Sequence, residues 1–184
     1  MNAVFRQRRG SLIATFVLSL LGCLVIGGCH ATENPNGALA ITVDKVAAEF
    51  PDVPVITTSA LASKLAEPEG ETPLILDIRE PEEYAVSHLP GAINVPPDTP
   101  LEDLPGSYLS QPVVVYCSVG YRSSSFGRRL MSAGASDVSN LEGSIFKWAN
   151  EERALTGQQG PTSKVHPFNE KWGRQLRQEF HSYR

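Results

Sequence analysis

Chemistry in this chain is concentrated in one short stretch, Cys117-Ser118-Val119-Gly120-Tyr121-Arg122, followed by Ser123-Ser124-Ser125. The apolar run Val113-Val114-Val115-Tyr116 predicts a buried strand just before the cysteine. Phe126, Leu130 and Ala133 predict a helix after it, with Gly134 as its stop. Cys117 therefore leaves the carboxyl end of a strand, where α/β proteins place their sites. The loop leads into a helix N-terminus, whose unpaired N–H groups and partial positive charge stabilise an anion. A tight curl adds further inward N–H groups, and Gly120 permits the backbone angles it needs. The expected result is a thiol of depressed pKa, and so a nucleophilic thiolate at neutral pH. The N–H groups of Ser118, Val119, Gly120, Tyr121, Arg122 and Ser123 are the candidates for holding charge on the sulfur.

The elements that must position this loop alternate along the chain. Val43, Val46, Ala47 and Phe50 lie at helical spacing, and Val53 to Thr57 is a strand candidate. Thr58 or Ser59 is expected to cap a helix carrying Leu61, Ala62 and Leu65. Pro73 to Ile78 is a continuous apolar run ending in Asp77-Ile78, the pattern of a strand covered on both faces. Pro81 starts a helix with Glu82 and Glu83 in its first turn, and both glutamates read as a solvated start. Ala92–Val95 and Val138–Leu141 are further strands; Leu101–Leu104 is a short helix, and Ile145, Phe146 and Trp148 mark the last domain helix. Alternating strands and helices imply an α/β fold with a central, mostly parallel sheet flanked by helices.

Several blocks carry a family resemblance. The loop C-x-x-G-x-R-S resembles the active-site loop of rhodanese domains. Leu76-Asp77-Ile78-Arg79-Glu80 with Glu82-Glu83-Tyr84, and His88-Leu89-Pro90-Gly91-Ala92-Ile93-Asn94, match in the same order. Leu141-Glu142-Gly143-Ser144 with Trp148 fits the closing turn, so the resemblance covers about residues 41–155. It implies a rhodanese-like three-layer fold and a sulfurtransferase that carries sulfur on Cys117 as a persulfide. The sulfur would come from thiosulfate, a persulfide or a polysulfide and pass to cyanide or a thiol, with a protein acceptor as another option. No metal and no organic cofactor is implied. One departure leaves the donor open: thiosulfate-specialised members often place a basic residue directly after the cysteine, and here Ser118 stands there, so Arg122 is the loop's only cation.

Other readings stand beside this one. A related phosphatase would place five residues between cysteine and arginine, whereas four separate Cys117 from Arg122. A non-catalytic binding module or redox sensor is the second alternative, although no resolving cysteine follows Cys29 apart from Cys117 itself. Arg122 either braces the loop or contacts substrate, bracing being favoured. Asp77 and Arg79 read as a buried pair supporting the strand–helix turn, because buried charges need partners. His88 is expected to cap or pack a helix end rather than to act as a base.

The ends of the chain have their own patterns. Arg6, Arg8 and Arg9 precede an uncharged apolar stretch from Leu12 to Ile26, which reads as an export signal over residues 1–28. Ile26-Gly27-Gly28-Cys29 resembles the lipobox of bacterial lipoproteins, which implies lipidation of Cys29 and a membrane-anchored protein facing the periplasm or the cell exterior. Residues 29–40, turn-rich and polar after the cysteine, read as a tether, 41–155 as the domain, and 156–184 as a linker with a C-terminal amphipathic helix. That helix is drawn from Phe168, Trp172, Leu176 and Phe180 at intervals of four. The sequence has net charge −4, and the part from Cys29 onward has 13 basic and 20 acidic residues. That excess of acid argues against a nucleic-acid partner.

Overall fold

The structure, a computed structural model, is described for residues 34–67 and 72–184; the stretch expected to be an export signal and Cys29 lie outside the described residues. Helix α1 (Pro35–Glu49) starts inside the stretch expected to be a tether. Asn34 caps it, its side chain accepting from the N–H groups of Asn36 and Gly37, and Pro35 fills the first helical position. Asn, Pro and Gly punctuate helix starts as well as loops, and buried Leu39 and Val46 fix this segment as helix.

Strand β1 (Val55–Ile56) is followed by α2 (Thr58–Ala66), capped one residue earlier than expected by Thr57, whose hydroxyl accepts from Ala60 N–H. Strand β2 (Leu74–Asp77), α3 (Pro81–Val86) and β3 (Ile93–Asn94) come next. Two 3-10 turns, Leu101–Asp103 and Gly106–Leu109, lead to β4 (Val113–Tyr116), α4 (Tyr121–Ser132), β5 (Val138–Leu141) and α5 (Ser144–Asn150). The five strands pair in parallel in the order β1-β5-β4-β2-β3, so β4 sits at the centre of the sheet.

Both faces of the sheet are covered, which is why its strands are continuously apolar. Ile75, Val114 and Tyr116 belong to one apolar cluster together with Leu39, Leu61, Ile145 and Phe146 from α1, α2 and α5. Leu76, Val113 and Val115 face the other side, against Phe126 and Leu130 of α4. The alternation follows from the two-residue period of a strand. Burying each of the three valines of β4 contributes roughly 1.5–3 kcal/mol. The fold is thus a three-layer α/β arrangement.

The C-terminal segment departs from both expectations for it. The presumed linker is a hairpin, β6 (Leu155–Gly157) and β7 (Gly160–Thr162), and Thr156 bridges to His88. The presumed amphipathic helix is only α6 (Glu170–Gly173), followed by a 3-10 turn at Gln178–Phe180. The four-residue spacing of the aromatic stripe arises from two separate turns. Between them the chain doubles back, with Val165 N–H donating to Phe180 O at 2.7 Å and Ser182 N–H to Val165 O at 3.1 Å. Leu176 and Phe180 are buried in the core, Trp172 is half-buried against its edge, and Phe168 is exposed.

At the end of β2 the expected pair is present. Arg79 Nε and Nη2 donate to the two carboxylate oxygens of Asp77 at 2.8 and 2.6 Å, and both side chains are fully buried. Tyr116 Oη donates to Asp77 Oδ2 at 2.6 Å, and Arg79 Nη2 also donates to Ser87 O at 2.6 Å. This cluster ties β2, β4 and the end of α3 together. Removing one partner strands the other charge, so Asp77→Ala is expected to cost about 3–5 kcal/mol in urea unfolding. An unchanged midpoint would show that the junction does not depend on the pair.

Candidate active site

Cys117 stands at the carboxyl end of β4, the central strand, and four residues ahead of the first turn of α4. The chain curls through Gly120, whose φ of +121° is open to glycine and strained for other residues. A β-carbon there would also lie 3.3 Å from Asn140 Nδ2 and from Val46 Cγ1. Gly120 N–H donates to Cys117 Sγ at 3.2 Å. On the other edge of the loop the carbonyls of Cys117 and Ser118 accept from the N–H groups of Ile145 and Phe146, each at 3.2 Å. Ser144 Oγ accepts from Cys117 N–H at 3.2 Å. The start of α5 thus fixes where the cysteine sits.

The sulfur is almost fully buried. Burial pushes its pKa up, but the positive charge of Arg122, the hydroxyl and N–H of Ser123 and the N–H of Gly120 outweigh this and hold the thiol below its ordinary value. Ser123 is itself positioned by Asn140, its Oγ lying 2.6 Å from Asn140 Oδ1, so its one hydroxyl proton is shared between that oxygen and the sulfur, and Asn140 Nδ2 donates to Ser124 Oγ at 2.9 Å. Of the loop residues singled out from sequence, Gly120 and Ser123 act on the sulfur directly, and Ser118, Val119, Tyr121 and Arg122 line the pocket with Cys117. Ser118 nevertheless makes its side-chain contacts to Glu83 and Arg122.

Arg122 braces the loop. Its Nη1 and Nη2 donate to Glu83 Oε2 and Oε1 at 2.7 and 2.9 Å, and Nη2 also donates to Ser118 Oγ at 3.0 Å. Ser118 Oγ donates in turn to Glu83 Oε1 at 3.0 Å. This overturns the expectation that Glu83 lies on a solvated helix start, for it is 1% exposed. The first turn of α3 faces the cysteine loop across the end of the sheet, so Glu83 at its third position enters the site. Burial raises the Glu83 carboxyl, but Arg122, the N–H of Glu80 and Arg79 hold it below the ordinary carboxylate range. Glu82, by contrast, is exposed.

Glu83, Asn140, Ser144, Phe168 and Trp172 are the residues that sequence reasoning missed. For Glu83 the available signal was its place three residues after Glu80, where its carboxylate accepts from Glu80 N–H at 3.1 Å. Asp77 and Arg79 lie one layer back, as described above. His88 stacks on Tyr84 with ring centres 3.9 Å apart, and its Nδ1 lies 3.2 Å from Tyr84 O, a packing role at the end of α3. Over the cysteine opens a pocket of about 110 Å³ lined by Cys117, Ser118, Val119, Tyr121, Arg122, Phe168 and Trp172.

The three-layer α/β domain with a buried cysteine between the central strand and a helix N-terminus defines the class to which comparison can be made. Residues 58–151 match the rhodanese-like domain, and the chain belongs to that family. It is 31% identical over 113 residues to a thiosulfate sulfurtransferase, GlpE, of Pseudomonas fluorescens, spanning 61% of this chain and 97% of that protein. It is 32% identical over 108 residues to a sulfurtransferase of Allochromatium vinosum, spanning 57% of this chain and 96% of the other. Among solved structures, the rhodanese-like domain of the Anabaena protein Alr3790 aligns with a TM-score of 0.50 and 27% identity, over 56% of this chain and 79% of that one.

The charge of Arg122 is the strongest influence lowering the Cys117 pKa. In Arg122→Met that influence is gone while burial still raises the pKa. The midpoint of the pH profile for iodoacetamide alkylation is then expected to move upward. A midpoint that stays in place would remove Arg122 from the account of the thiolate.

Proposed function

We propose that this protein is a sulfurtransferase that carries a transferable sulfur on Cys117. The observation that carries the reading is the nearly buried sulfur facing the Gly120 N–H and charge-compensated by the braced Arg122. Such a site favours an anionic sulfur, whether thiolate or persulfide, over a neutral one. The relatives named as sulfurtransferases support the same direction.

The chemistry is nucleophilic catalysis in two half-reactions. The Cys117 thiolate attacks the outer sulfur of a donor R–S–SH, forming the Cys117 S–S bond while the donor S–S bond breaks and RS⁻ leaves with its electron pair. With thiosulfate the leaving group is sulfite. A thiol or cyanide then attacks the outer sulfur of the persulfide, and the Cys117 thiolate leaves. The sulfur moves at constant oxidation state, so neither half-reaction needs an oxidant. A phosphate-cleaving reading is not supported by the site, because the fork of Arg122 that would grip phosphate oxygens is already filled by Glu83.

Initial rates with a sulfur donor and cyanide, both varied, are expected to give the parallel double-reciprocal lines of a ping-pong mechanism. Cys117→Ser is expected to lower turnover by at least about a thousandfold without lowering thermal stability. Turnover retained in that variant would overturn the assignment.

We also propose that the protein works outside the cytoplasm, held to a membrane through a lipid on Cys29. The support is the basic and then apolar leader ending in Gly27-Gly28-Cys29. Cys29→Ser is expected to move the protein out of the pelleted membrane fraction. A variant that stays in the pellet would refute the lipid anchor.

A further inference from the structure

The segment after the family-matched region contributes two aromatic rings to the active-site pocket. Phe168 lies over the guanidinium of Arg122, with the Arg122 Cζ 4.8 Å from the ring centre. Trp172 packs against Tyr121 with ring centres 5.9 Å apart. Both belong to residues beyond 151, where the family match ends.

This wall is held firmly. Phe168 has φ +63°, a conformation unusual for a bulky residue, and its N–H donates to His166 Nδ1 at 3.1 Å. Asn169 caps α6 by accepting from Trp172 N–H at 3.1 Å. The segment is tied to α5 through Asn150, which donates to Gln175 O at 2.9 Å and accepts from Arg177 N–H at 2.9 Å. The buried Leu176 and Phe180 anchor it to the core. A wall so pinned is preorganised, which lowers the ordering cost of binding against it.

The pocket's chemistry follows from what lines it. Val119, Tyr121, Phe168 and Trp172 present mostly carbon. Arg122 is the one cation among the pocket residues; its charge is paired with Glu83, its Nη2 also donates to Ser118, and Phe168 lies over its plane. An anionic headgroup placed here would lose water against a mostly carbon surface and meet a cation already paired with Glu83, which favours it less than an apolar group. An apolar group of a few carbons fits the other way. A volume of about 110 Å³ approaches the ~150 Å³ of an apolar cavity known to take benzene.

We infer that the sulfur donor is an organic persulfide bearing an apolar substituent, which packs between Phe168, Trp172 and Tyr121 while its outer sulfur meets Cys117. Phe168 and Trp172 are then the residues that set donor specificity. The inference rests on the sulfurtransferase reading and narrows it to one substrate class. The step is the donor half-reaction given above: the outer sulfur, with its proton, bonds to the Cys117 sulfur, and the apolar thiolate leaves with the electron pair of the broken S–S bond.

The test compares two donors of the same reactive chemistry, benzyl persulfide and 2-sulfonatoethyl persulfide, loading the full chain. The readout is kcat/KM with cyanide as acceptor. Benzyl persulfide is expected to be favoured roughly tenfold or more, since apolar contacts of this size discriminate on that scale. Phe168→Ala and Trp172→Ala are each expected to shrink that ratio, and Phe168→Lys to turn it toward the sulfonate. A wild-type ratio near one, or a ratio unmoved in all three folded variants, overturns the specificity assignment. No sulfur transfer from either donor would instead remove the sulfurtransferase reading beneath it.

Discussion

An anionic sulfur inside a protein is costly unless fixed charges and dipoles replace the water it has lost. The local design follows from this constraint. Cys117 is 2% exposed, yet its thiol sits below its ordinary pKa. The compensation comes from the Gly120 N–H, from Ser123 and above all from Arg122. Arg122 cannot act from a flexible position, so Glu83 and Ser118 clamp it. The clamp in turn requires α3 to lie opposite the loop, and the Asp77–Arg79–Tyr116 cluster joins β2 to β4 below it.

The two charge pairs divide the work. Asp77 with Arg79 is sealed from solvent and makes no contact with the pocket, so its role is to fix geometry. Glu83 with Arg122 lies at the pocket edge, where Arg122 keeps partial exposure and its charge reaches the sulfur. The pairing fixes the Arg122 guanidinium beside the sulfur, and its charge still lowers the Cys117 pKa. The C-terminal aromatic wall adds a carbon surface to this site.

Much of this was legible in the sequence because local patterns dictate it. The runs Pro73–Ile78 and Val113–Tyr116 are buried strands, and a cysteine followed by glycine and arginine before a helix marks the loop. What was not legible depended on contacts distant in the chain. Glu83 looks solvated along its own helix and becomes buried only when α3 docks beside residues 118–122. Asn34-Pro35-Asn36-Gly37 has the composition of a loop, and its role as a helix start is settled by Leu39 reaching the core. The stripe Phe168, Trp172, Leu176, Phe180 imitates a helical face. The doubling back of the chain at Val165 and Phe180 sends Leu176 and Phe180 to the core and the rings of Phe168 and Trp172 to the active-site pocket.

The central claim is that the compensated sulfur of Cys117 holds a second sulfur atom covalently. Intact mass spectrometry of the full chain after incubation with a persulfide donor, followed by peptide mapping, measures this directly. The account predicts a gain of one sulfur atom per chain that maps to Cys117 and is discharged by cyanide as thiocyanate. A folded protein with reduced Cys117 that gains no sulfur, or gains it only at another site, would contradict the account.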